Sequence, residues 1–304
     1  MDHETRWYDQ IRTMFDRSSQ EEWLPRLNQF NNRPPVKKAG TTFSLPKDGH
    51  PPAWFNGDIT ALNPGEWVLV VMDNPDVDLI SIPHVDDETP DAWWNHCRTF
   101  NVEHADWTGK PAYPWLVETA AATFGIEIDG NSVEGHQFAT NRMLFVDFCP
   151  YASSKWPTIE WERDMKPIAN RDPGISRARQ IRQLIFDHGQ PKCVLCFGRY
   201  ATYDVKGEQF KEHHMSRKSI GWKGQQSGIV HLYAGTYKPV NGEQFLVLGV
   251  PEVRDWKRNP ALQREVIEAF VNGTVDRAAL SIEDSPRAWE VVPSQRRASR
   301  MVRS

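Results

Sequence analysis

The chain is defined first by what it lacks. No stretch of its 304 residues reaches the ~18 consecutive apolar positions of a membrane span, and residues 1–12 are charged, with no apolar signal core. A soluble, cytoplasmic protein that engages no membrane is expected. There is no Walker phosphate loop, no G-x-G-x-x-G and no internal repeat, so the usual nucleotide folds lose their main support. Basic charge is not in excess: the formal net charge is -4, so any contact with phosphates must come from local patches. Cysteine is scarce, with four residues at 97, 149, 193 and 196, the usage of an intracellular protein with reduced thiols. Cys193-Val194-Leu195-Cys196 has the C-x-x-C spacing but lies inside an apolar run that reads as a strand. Alternation then aims the two thiols at opposite faces, which suits neither a zinc knuckle nor a thioredoxin-like turn. Neither a metal nor a cofactor is expected.

Hydrophobic residues make up 39% of the chain, with 13 Trp and 14 Phe, enough for a sizeable core. Residues 5–30 carry aromatic and aliphatic positions at helical spacing and predict one or two amphipathic helices ending before Pro34-Pro35. Residues 35–65, rich in Pro and Gly, read as a long surface approach. Short apolar runs at 67–71, 143–149, 193–197, 229–233 and 245–248 predict strands, and 115–124, 173–188 and 260–271 predict helices. Residues 77–110 show little periodicity and read as a long loop. Strands alternating with helices imply an α/β protein, a three-layer α/β/α sandwich with a mainly parallel sheet. The expected divisions are an N-terminal helical extension over 1–64, an α/β domain over 65–273 and an Arg-rich tail over 274–304.

In open α/β sheets, ligands sit beyond the carboxyl ends of the strands. The loops there are Met72-Asp73-Asn74-Pro75-Asp76, Asp147-Phe148-Cys149-Pro150-Tyr151 and Val250-Pro251-Glu252-Val253-Arg254-Asp255. Asp147 stands near the end of a buried strand, where an unpartnered carboxylate costs several kcal/mol. It either caps the amides of the following turn or faces a ligand. Asp73, Asn74 and Asp76 either close a solvent-exposed turn or carry chemistry.

The order of these loops resembles the uracil-DNA glycosylase superfamily, nearest the branch of single-strand-selective monofunctional uracil glycosylases. That branch carries G-M-N-P-G where this chain has Met72-Asp73-Asn74-Pro75-Asp76. It carries F-V-x-N-x-C-P where this chain has Phe145-Val146-Asp147-Phe148-Cys149-Pro150, one residue shorter. It ends with H-P-S-P-R-N where this chain has Val250-Pro251-Glu252-Val253-Arg254-Asp255. The resemblance covers roughly residues 65–270. It implies a uracil-DNA-glycosylase-like sandwich and a monofunctional DNA N-glycosylase that acts as a monomer on DNA and flips its target base.

Carried over residue by residue, the resemblance makes Asn74 the residue that orients water toward an oxocarbenium-like sugar. Asp73 and Asp76 beside it would supply negative charge. Aligned on Cys149-Pro150, Asp147 falls where the family reads the base with Asn, and Phe148 and Tyr151 flank it. Ser153, Ser154, Lys155, Arg254, Lys257 and Arg258 would contact DNA, with help from the basic 206–223 segment. Trp93 and Trp94 join Tyr151 as aromatics that either stack on a base or pack in the core.

Two departures matter. Val250 replaces the family's hydrogen-bonding His and can donate nothing, so either another group, such as His231, takes over or activity is lost. Asp147 replaces Asn: an ionised carboxylate offers only acceptors, repelling O4 of uracil and accepting from N4 of cytosine, whereas a protonated one can also donate to cytosine N3. A cytosine-type base follows. Because removing ordinary cytosine would destroy the host's DNA, the expected target is a modified cytosine, as in defence against phage DNA.

Three other readings stand beside this one. One is a uracil-type repair glycosylase. Another is a non-catalytic nucleic-acid-binding protein of the same fold, favoured by Val250 and by Met72 in place of the family's leading Gly. The last is a metal-dependent hydrolase using His84, Asp86, Asp87, His96 and His104, whose spacing matches no closed zinc pattern.

Overall fold

The computed structural model describes residues 6–16, 54–73, 89–103, 113–150, 170–205, 211–216, 229–251, 260–274 and 282–284. In chain order the elements are α1 (Trp7–Asp16), β1 (Val68–Met72), α2 (Pro90–Glu103), α3 (Tyr113–Ala122), α4 (Val133–Arg142), β2 (Met143–Asp147), α5 (Pro173–His188) and β3 (Cys193–Phe197). They continue with α6 (Arg199–Val205), β4 (Lys211–Ser216), β5 (Ile229–Tyr237), β6 (Phe245–Val250), α7 (Pro260–Val266), a π-helical turn (Ile267–Val271) and β7 (Ile282–Asp284). No helix among the described residues is long and apolar enough to cross a membrane.

The strands form one sheet in the order β2-β1-β3-β6-β5-β4-β7. The first four are parallel to one another; β5, β4 and β7 add an antiparallel wing. The parallel strands are apolar along nearly their whole length, as expected of strands covered on both sides. Leu69, Val71, Leu144, Val146, Val194 and Cys196 pack on one face with residues of α1, α2, α5 and α6. Val68, Val70, Met143, Phe145, Cys193 and Leu195 pack on the other with residues of α3, α4 and α7. The fold is therefore mixed α/β with helices against both faces.

Helix α5 coincides with the expectation, and its boundaries have a local cause. Asp172 accepts from the amides of Gly174 and Ile175, and Pro173 opens the first turn, where its missing N–H is no loss. Elsewhere the structure departs from the sequence reading. Residues 90–103 form helix α2 rather than loop; its buried Trp93, Trp94 and Cys97 are too few to give a clear period. Helix α4, unforeseen, is capped by Ser132 and tolerates Gly135 because an added Cβ there would stand 2.5 Å from the Asp129 carbonyl oxygen.

The segment expected to run over the surface up to residue 65 instead buries Trp54, Phe55 and Ile59 completely. Its Asn56 pairs with Phe145 along the outer edge of β2, shielding that edge. Phe15 of α1 sits edge-on to Trp54, Phe55, Trp93 and Trp94, so these tryptophans belong to the core. Part of the basic 206–223 segment is strand β4, and β7 adds a strand from the region expected to be an Arg-rich tail.

Candidate functional site

The in-register pairing of the four parallel strands aligns their last residues in one row. Met72 lies beside Asp147 on one side and Phe197 on the other, and Phe197 lies beside Val250. Directly paired neighbours in a sheet point to the same face. Met72, Phe197 and Val250 all pack on the face shared with α3, so Asp147 belongs to that face too. The row is thus apolar and packed beneath α3, with Phe197 and Val250 almost fully buried and a single carboxyl at its outer end. Backbone bonds prolong the order past the strand ends: Phe148 donates to the Met72 carbonyl at 2.7 Å, Cys149 to that of Asp73 at 3.0 Å, and Gly198 to that of Val250 at 3.0 Å.

Asp147 is 6% exposed. Among the described residues nothing donates a hydrogen bond to its carboxyl, so it does not cap the turn that follows it within Phe148–Pro150. Burial without a partner, and secondarily the negative charge of Asp73, push its pKa up to about 8. Asp73 is differently placed. Its Oδ1 accepts from the Ala201 amide at 2.8 Å, and the amides of Arg199 and Tyr200 add to this hold at the start of α6. Burial raises its pKa to about 7, against the pull of those amides and of the Arg199 charge. At neutral pH Asp147 is therefore mostly a neutral acid with one donor and one acceptor, rather than the acceptor-only carboxylate.

The other expected residues divide by position. Phe148, expected beside a base, is fully buried on the opposite face and stacks on Tyr200 at 6.1 Å, leaving no surface for a ligand; alternation after Asp147 turns it inward. Val250 is 1% exposed. Asn74, Asp76, Tyr151, Ser153, Ser154, Lys155, Arg254, Lys257 and Arg258 lie outside the described residues, as does the side chain of His231. His84, Asp86, Asp87 and His104 also lie outside them, and among the described residues no three His, Cys, Asp or Glu side chains converge to hold a metal ion. Cys193 and Cys196 do face opposite sides of the sheet, and burial pushes both thiols up to about 12.

Sequence reasoning missed Trp115. It lies in the first turn of α3, packs edge-on against Phe197 at 5.0 Å, and its Nε1–H is buried with no hydrogen-bond partner among the described residues. No spacing or motif marks it, because its place depends on where α3 crosses the row.

The raised acids set a pH dependence of stability. Both folded-state values lie above the ordinary carboxyl value of about 4, so the folded state holds more protons than the unfolded chain between about pH 4 and pH 8. The stability that these two acids contribute is greatest below that window and declines as pH rises through it. Urea denaturation should show a loss on the order of 2–4 kcal/mol between about pH 5.5 and pH 9. Asp147→Asn should flatten that decline and be the more stable protein at the alkaline end. A wild-type curve that is flat or rising over this range would refute the assignment.

Compared with protein-family models and with curated proteins, the sequence matches none.

Proposed function

We propose that the chain is a monofunctional DNA glycosylase of uracil-DNA-glycosylase-like fold that removes a flipped, modified cytosine-type base and leaves an abasic site. The observation that carries this reading is the Asp147 carboxyl, buried and undonated at the end of an apolar row across the carboxyl ends of four parallel strands. A buried carboxyl that receives no hydrogen bond from a described residue costs the fold stability, and a role toward a ligand at the strand ends would account for that cost. The motif order along the chain supplies the rest. Asn74 follows β1 and would hold the attacking water, with Asp76 beside it. Arg254 follows β6 and would fill the space left by the extruded base.

A neutral Asp147 donates from its hydroxyl to N3 of cytosine and accepts from the N4 amino group, a matched pair. Modification of the base at a position away from that edge is what would spare the host's own DNA. Val250, buried and apolar, favours a second reading, a non-catalytic binder of the same fold.

The test is abasic-site formation on oligonucleotides and phage genomic DNAs containing uracil, cytosine, hydroxymethylated cytosine or glucosylated cytosine. Cleavage confined to a modified cytosine, and reduced about 100-fold or more in Asn74→Ala, is the expected result. Tight binding with no abasic product from any DNA would replace the enzyme by the binder. Excision of uracil alone would make it a repair glycosylase.

A further inference from the structure

We propose that Asp147 is the acid that protonates the departing base at its ring N3, supplying from the outer end of the row the leaving-group stabilisation that Val250, at the inner end, has no atom to give. The inference rests on the glycosylase reading and assigns Asp147 a chemical role beyond recognition. Three observations carry it. Asp147 occupies the last position of β2, paired with Met72 at the last position of β1, at the carboxyl ends of the parallel strands, where ligands of open α/β sheets sit. Its carboxyl receives no hydrogen bond from any described residue. The remaining members of the row are Met, Phe and Val, none of which can transfer a proton.

The surroundings keep that proton in place until it is needed. The elements packed against β2 bring Asp73, one residue past β1, Glu134, His136 and Arg142 on α4, and Arg179 and Arg182 on α5, the last two turned to Asp204. Of these only the Asp73 charge bears on Asp147, and it favours the protonated acid, which persists to about pH 8. Such a value lies close to working pH, where a general acid is most effective.

The step balances without any further reagent. The C1′–N1 bond breaks with its electron pair going to the base, and water forms the new C1′–O bond. The Asp147 hydroxyl proton passes to N3, so the base leaves neutral and Asp147 is left as the carboxylate. The proton lost by the attacking water goes to solvent, and solvent reprotonates Asp147. Only a cytosine-type ring can take part, because N3 of uracil already carries hydrogen and has no lone pair for the proton. One side chain thus links recognition to rate.

The experiment is single-turnover excision of hydroxymethylated and glucosylated cytosine between about pH 6 and pH 10, by wild type and Asp147→Asn. In parallel, the Asp147 carboxyl is titrated by carbon-13 NMR in the full-length protein. The wild-type rate should be level at low pH and fall about tenfold per pH unit above the value at which Asp147 itself titrates. Asp147→Asn should be slower by about 100- to 10,000-fold at neutral pH and lack that alkaline limb. Abasic product formed at a rate that stays level or rises through the Asp147 titration would overturn the role while leaving the glycosylase intact. Asp147→Asn within about threefold of wild type would do the same. Absence of product at every pH removes the glycosylase reading and this inference with it. Should the variant fold poorly, coincidence of the wild-type kinetic limb with the NMR titration still decides.

Discussion

Gly198→Ala should destabilise the protein by on the order of 4 kcal/mol, a large share of the 5–15 kcal/mol that holds a typical domain folded. Gly198 lies between β3 and α6 with φ +105°, a backbone conformation that L side chains rarely adopt. Backbone strain alone accounts for about 1–2 kcal/mol. The larger part is steric. An alanine Cβ would stand 2.4 Å from Oδ2, 2.5 Å from Cγ and 2.6 Å from Oδ1 of Asp73.

Neither side can retreat. The Gly198 N–H is bonded to the Val250 carbonyl at 3.0 Å, its carbonyl accepts from Thr202 at 3.1 Å, and Asp73 is anchored to the Ala201 amide at 2.8 Å. Relief requires Asp73 to leave the amides of α6, forfeiting hydrogen bonds to a charged group worth about 1.5–3 kcal/mol each. Urea denaturation of Gly198→Ala checks the total, and Asp73→Ala in the same chain should restore part of the loss by vacating the space. A Gly198→Ala protein within about 1 kcal/mol of wild type would mean that the carboxylate does not sit where the structure places it.

The contrast between Asp73 and Asp147 shows what could be read from sequence. The strands beside these acids were legible, because a run such as Val68–Met72 or Met143–Val146 is apolar at every position and leads into an acid and turn residues. The parallel order followed from the intervening helices. What was not legible is any property that depends on register. Nothing in the sequence says that Met72 faces Asp147 or that Phe197 faces Val250, yet that alignment makes the row. Nor does it say that Asp73, one residue past β1, turns to the amides of α6 over a hundred residues later. Asp147 itself was singled out by its apolar strand and by the alignment on Cys149-Pro150, but its protonation follows from burial that no local pattern reports. Helix α2 and the 54–59 segment were hidden for a related reason: their tryptophans are buried by α1 and by each other, in a cluster with no period along the chain.

Asp204→Ala should be comparably damaging, by about 3–5 kcal/mol, because it strands a charge in the core. Asp204 of α6 receives two guanidinium groups from α5. Arg179 approaches at 2.6 Å from a partly exposed position, and Arg182 bonds it from inside the protein, where the two side chains are 5% and 4% exposed. Burial already lowers the Arg182 pKa to about 10, and its Nη1 is buried without a hydrogen-bond partner among the described residues. Removing the carboxylate leaves a fixed cation with no counter-charge, since arginine does not shed its proton at ordinary pH. The expected signature is a large loss of stability in Asp204→Ala that is reversed when Arg182 is replaced as well. The pair Arg182→Met with Asp204→Leu should return to within about 1–2 kcal/mol of wild type, since two charges taken out of water together repay little more than well-packed apolar side chains. A double variant as unstable as Asp204→Ala would show instead that the ion pair stabilises the fold outright. Because α6 carries both Asp204 and the amides that hold Asp73, the single variant should also loosen Asp73 and move the titration of Asp147, which a loss of packing confined to α5 would leave in place.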